Sequence, residues 1–148
     1  MGRFGATEII LIFIVIGVML IPQIFYLISL QKTLNEVSNE NRKMQPNLVW
    51  LVLIPIFGLI WQFIVVNGIA SSLQDEFKKR NIKVSEEKPG HSIGLTYCIL
   101  FCCSIIPLIG VIAGMAGFVC WIIYWVKINN YRIELQTRGN IEDIGINN

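Results

Sequence analysis

CILFCCSIIPLIGVIAGMAGFVCWIIYW, residues 98–125, carries no charged side chain. It is the middle of an uncharged run of 35 residues, 92–126. A straight helix of that length would be ~52 Å long, ~20 Å more than the hydrocarbon layer of a bilayer. Ordinary tilt does not absorb that excess, so the run has to turn. The segment 104–110, SIIPLIG, holds both Pro107 and Gly110 and is the natural corner. This predicts one helix over 92–106 and another over 110–129.

Working outward, two further uncharged runs cover 9–30 and 47–74. Charged residues make up only 15% of the 148-residue chain, against about a quarter in a soluble domain. The runs reach the ~20 residues a helix needs to cross the bilayer, and they predict helices over 8–30 and 47–73. Pro46 suits the first turn of the second helix, where a missing N–H costs nothing. Pro55, with Gly58 beyond it, predicts a kink in that helix, as Pro107 does near the last corner. The expected fold is therefore all-α, an integral membrane protein of four transmembrane helices in two hairpins. Residues 1–131 form the membrane domain, and 132–148 form a polar cytoplasmic tail. The first run is too long for a cleaved signal core and reads as a retained anchor. Thr7 misses by one the position a myristoylation motif requires.

Four crossings would put both termini and the loop 74–91 on one side. That side would hold Arg3, Lys78, Lys79, Arg80, Lys83, Lys88, Lys127, Arg132 and Arg138, against Lys32, Arg42 and Lys43 on the other. The excess of Lys and Arg on cytoplasmic loops then predicts cytoplasmic termini in an inner membrane. Trp121, Tyr124, Trp125 and Tyr131 are expected as an aromatic belt at that face and Trp50 at the opposite one. A short repeat is also visible: IPIFGLI at 54–60 returns as IPLIGVI at 106–112.

Several residue groups carry candidate roles. Gly110, Ala113, Gly114 and Gly117 form a smooth stripe containing G-x-x-x-G, which favours close helix packing where no hydrophobic effect operates. Gln23, Gln62 and Asn67 are amides inside apolar helices, each needing a partner. His91, Cys98 and Cys102 share a helical face, but they lack a fourth ligand and the C-x-x-C spacing of a zinc site. No catalytic, cofactor-binding or metal-binding residue is assigned, and no cofactor is expected. The net charge of +2 and the lack of aromatics interleaved with Lys and Arg give no basis for nucleic-acid binding. The opening FGATEIILIFIVI, 4–16, resembles the start of small twin-arginine translocase subunits. Those have one short membrane helix, and the three apolar segments that follow here end the likeness.

YLISLQKTLNEV, then MQPNLVWLVLIPIFGLIWQFIVVNGIASSL, with Trp50 five residues before Pro55, resembles a group of small polytopic bacterial membrane proteins of unknown function. The likeness covers about residues 20–131 and extends to the Pro/Gly-marked final hairpin. It implies an inner-membrane helical protein and no activity. The expected partners are the lipid bilayer and other membrane subunits or copies of the chain. The expected role is a non-catalytic accessory, assembly or scaffold subunit, with a homo-oligomeric channel or small transporter as the alternative.

Overall fold

The computed structural model describes residues 5–54 and 56–143. The chain forms α1 (Ala6–Glu36), a 3₁₀ segment (Pro46–Leu53), α2 (Phe57–Lys79), α3 (His91–Cys103) and α4 (Gly110–Asp143). No strand occurs among the described residues. The stretches Phe57–Lys79 and Gly110–Gly139 are each long and apolar enough to cross a membrane, and the uncharged run 9–30 lies wholly within α1.

The direction of each element follows from its neighbours. α1 descends to Glu36. The chain then reverses, so that Asn47 and Trp50 hydrogen-bond Gln31 of α1 (3.0 Å each). The 3₁₀ segment thus climbs between α1 and α2. After a turn α2 descends, placing Trp61 against the Leu48 carbonyl (2.8 Å) and Gly68 against Met44. α3 climbs again, with Gly94 beside Val66 and Tyr124. A Cβ at Gly94 would come within 2.5 Å of Val66 and 2.9 Å of the Tyr124 ring, so glycine is required for this approach. α4 descends from Gly110, its Trp125 indole donating to Ser29 of α1 (2.9 Å) and its Gln136 to Glu36 (2.6 Å).

α1, α2 and α4 are therefore parallel, which corrects the alternating four-crossing expectation. The loop 37–45 and the loop 80–90 were expected on opposite faces. They share one end of the molecule: the loop 37–45 is tied to the foot of α2, from which the loop 80–90 continues, by Lys43–Asp75 (2.7 Å), Lys79–Glu40 (2.8 Å) and the buried carboxylate of Glu76. The beginning of α1 and the end of α4 lie at opposite ends. The run 47–73 is not one helix, because the 3₁₀ segment and a turn precede α2. Pro55 itself lies outside the described residues. The hairpins are 3₁₀/α2 and α3/α4.

Their tips explain the repeat. In each, the glycine amide closes on the carbonyl four residues back, Gly58 on Ile54 (2.6 Å) and Gly110 on Ile106 (2.7 Å), and α2 and α4 then descend. Both tips lie at the end opposite the charged loops. Tail and belt also differ from expectation. α4 runs unbroken to Asp143, with Leu135 1% exposed against the body, so the tail is helical to that point; 144–148 lie outside the described residues. Trp121, Tyr124 and Tyr131 are buried in the core. Tyr26 packs tilted or edge-on among Trp121, Tyr124 and Trp125 at centroid distances of 5.2–6.3 Å, and Tyr131 packs on Phe77 (5.6 Å). Trp50 bonds α1 at Gln31, on the side of the charged loops.

The molecule thus has a polar base and an apolar crown. At the base, Glu76 accepts from the Ser38 amide (3.1 Å), the Ser38 hydroxyl (2.7 Å) and Asn41 (2.8 Å), and its other oxygen takes Arg80 Nε (2.8 Å) and Nη2 (2.7 Å). Arg80 in turn donates to the carbonyls of Leu135 and Glu36, so one ion pair ties α1, α2 and α4. Burial raises the Glu76 carboxyl pKa, but the hydrogen bonds from Ser38, Asn41 and Arg80 outweigh it and hold the group below its ordinary value. In the crown, large aliphatics face outward: Leu108 is 94% exposed, Ile56 82% and Ile112 75%.

Candidate functional site

The crown contains a half-open cavity of about 360 Å³ where α1, the first hairpin tip, α3 and α4 meet. Gln23 of α1 and Gln62 of α2 supply its amides, Cys98 and Phe101 line it from α3, and Trp121 from α4. Its rim is the tip, including Ile54, Ile56 and Leu59, all of them exposed. Among the described residues, no charged side chain lines it.

Beneath it lies a closed polar network. The hydroxyls of Tyr26 and Tyr97 share a hydrogen bond of 2.9 Å, and both rings are fully buried. The Gln62 amide nitrogen donates to both hydroxyls, at 3.1 Å to Tyr26 and in a closer contact to Tyr97. A buried phenol needs such partners, since an orphaned one costs ~1–3 kcal/mol. The carbonyl oxygen of Gln62 and the whole amide of Gln23 have no hydrogen-bond partner among the described residues.

The rim is strained. Ile56 has φ +66°, a region β-branched residues avoid, at a cost of ~1–3 kcal/mol. Because its side chain is mostly exposed, Ile56→Gly should relieve the backbone while losing little packing. A rise of about 3 °C in the thermal midpoint of the detergent-solubilised protein is expected, from ~1 kcal/mol gained. A lowered midpoint would mean that the side chain contributes packing that exposure does not reveal.

The other sequence candidates lie elsewhere. The stripe of Gly110, Ala113, Gly114 and Gly117 packs within the chain: a Cβ at Gly117 would sit 3.1 Å from Leu100 of α3, and Cβ atoms at Gly110 and Gly114 would meet Ser104 in the turn after α3. The Asn67 amide oxygen accepts from His91 Nε2 (2.7 Å) and its amide nitrogen donates to the Phe63 carbonyl (3.0 Å), tying α2 to the start of α3. Pro107 lies in the second tip, between α3 and α4. Cys98 is buried at the cavity, and no cluster of three His, Cys, Asp or Glu side chains suited to a metal occurs among the described residues. Sequence reasoning found Gln23 and Gln62 but missed Tyr26 and Tyr97 as their neighbours. The signal was present in the spacing of Tyr26 from Gln23, nearly one helical turn.

No family model, curated protein or solved structure matches the chain.

Proposed function

We propose that the chain is a non-catalytic subunit of the cytoplasmic membrane, an accessory or scaffold protein that anchors a rigid charged base at the inner surface. One observation carries this reading: the charges are segregated along the axis of the molecule. From Lys32 onward every charged residue belongs to the base or its connections, while the run 9–31 and the two hairpin tips carry none and expose their aliphatics. Soluble monomers rarely leave apolar patches of more than a few hundred Å² in water.

Dimensions suggest how it sits. From the contact between Tyr26 and Trp121, α1 climbs ~30 Å further to Ala6, but α4 only ~16 Å to Gly110. From Lys127, the first cation of α4, to Gly110 is ~26 Å, a little short of a ~30 Å core. In this reading α1 alone crosses completely. The two hairpins enter from the base and turn back inside the far leaflet. The turn amides of Ile105, Ile106 and Gly110 are satisfied by carbonyls three or four residues back, as irregular backbone at membrane depth requires. Eleven of the twelve Lys and Arg, all except Arg3, then lie on the cytoplasmic side.

The accessory role rests on α1. Its upper half projects past the body, and residues from Ile9 to Ile14 are 45–69% exposed. A free apolar shaft of this kind is available to pack against a helix of another subunit. The glycines of the Gly/Ala stripe, by contrast, are covered by α3 and the turn after it. Native purification in mild detergent followed by mass spectrometry tests the role. Co-purification of a different membrane protein in fixed ratio supports it. A single copy or a ladder of identical copies overturns it, the ladder in favour of a homo-oligomeric channel or transporter.

A further inference from the structure

We infer that the crown cavity is a binding site for one uncharged membrane lipid carrying a free hydroxyl, of the diacylglycerol type. The inference rests on the membrane reading above and adds a ligand to it. The observations run from position to chemistry. The cavity opens between Ile54, Ile56 and Leu59, which are exposed in the crown, so the entry path is hydrocarbon and not water. Its volume of about 360 Å³ lies at the low end of small-molecule pockets. It holds the polar end of a lipid and the first part of its chains, and the remainder of each chain stays in the bilayer.

Charge and hydrogen-bond capacity then choose the polar end. Among the described residues no cation or anion lines the cavity, so a phosphate or ammonium brought here would lose its hydration with none of them to neutralise it. Two carboxamides do line it. Gln62 spends its nitrogen on Tyr26 and Tyr97, which leaves its carbonyl oxygen as an acceptor with no partner among the described residues. That oxygen calls for a donor, which an alcohol supplies. Gln23 has an unused N–H as well, able to donate to an ester carbonyl beside that alcohol. Phe101 and Trp121 give the flat apolar walls against which the first methylenes lie. Purely hydrocarbon lipid would leave both amides unsatisfied, and a triacyl lipid would satisfy only Gln23.

Native mass spectrometry of the full chain in non-ionic detergent tests this with three probes: 1,2-dioctanoylglycerol, trioctanoylglycerol and dioctanoyl phosphatidic acid. Saturable one-to-one addition of the first, at least tenfold tighter than either of the others, is expected. Gln23→Leu should weaken it about tenfold, the loss of one buried hydrogen bond, without lowering the thermal midpoint, because Gln23 has no partner among the described residues. Leu59→Trp should abolish it by filling the cavity. Equal addition of all three probes, or binding unchanged in both variants, overturns the site. Those results leave the membrane reading standing. That reading fails separately if the chain stays monodisperse in buffer without detergent.

Discussion

Glu76→Leu is expected to lower the thermal midpoint of the detergent-solubilised protein by about 10 °C. Glu76 is 1% exposed and accepts hydrogen bonds from Ser38, Asn41 and Arg80. Removing it strands the Arg80 guanidinium with only the carbonyls of Leu135 and Glu36, and leaves the Ser38 amide without its acceptor. Breaking a buried pair by deleting one partner costs ~3–5 kcal/mol, and ~2–4 °C follows each kcal/mol in a chain of this size. The pH dependence gives a second, independent readout. The folded carboxyl pKa lies below the ordinary value of 4.5, so the native state binds fewer protons than the unfolded one. The stabilisation is complete above ~4.5 and fades as pH falls below it. The difference in midpoint between wild type and Glu76→Leu should therefore be flat from pH 7 to 5 and shrink towards pH 3. Glu86, held low first by its hydrogen bond from Lys127, is present in both proteins and cancels in the difference. A variant melting within 2 °C of wild type at pH 7 would show that Glu76 does not hold the base together.

The same carboxylate marks where the sequence stops being legible. The uncharged runs gave the apolar segments, and the pairing of Pro107 with Gly110 gave the corner between α3 and α4 and the first residue of α4. The direction of α2 was not readable. Hydrophobic content over 47–73 is the same whether the segment is one helix or a 3₁₀ stretch, a turn and a helix. The deciding interactions, Ser38 and Asn41 with Glu76, are polar contacts between residues more than thirty positions apart. The tail 132–148 reads as polar, yet Leu135 and the carbonyl that receives Arg80 hold it to the body. At the cavity, amides inside apolar runs flagged Gln23 and Gln62. Their setting stayed hidden because Tyr and Trp in a membrane sequence suggest an interfacial belt. Here Tyr26, Tyr97 and Trp121 are used as core, where a phenol can be buried once a Gln side chain meets its hydroxyl.

Sidedness separates the parallel arrangement from alternating crossings without overlap. Single cysteines at Thr7, Asn39 and Ser85, each exposed, are to be probed with a membrane-impermeant maleimide, the unmodified chain serving as the blank for its four native cysteines. In right-side-out vesicles Thr7→Cys alone should label, and in inverted vesicles Asn39→Cys and Ser85→Cys should label together. The effect is all-or-none. Four alternating crossings instead pair position 7 with position 85 and isolate position 39. The parallel pattern is favoured because the loop 37–45 cannot reach the far side while Glu76 holds Ser38 and Asn41 within 3.1 Å. Moving it would also carry Arg42 and Lys43 across the hydrocarbon, at ~2.5–3.5 kcal/mol for each charge at mid-membrane, and would open the pairs to Asp75 and Glu40. Labelling of positions 39 and 85 from opposite sides would overturn the arrangement. Labelling of all three from one side would remove α1 as the complete crossing, and with it the projecting shaft on which the accessory role depends.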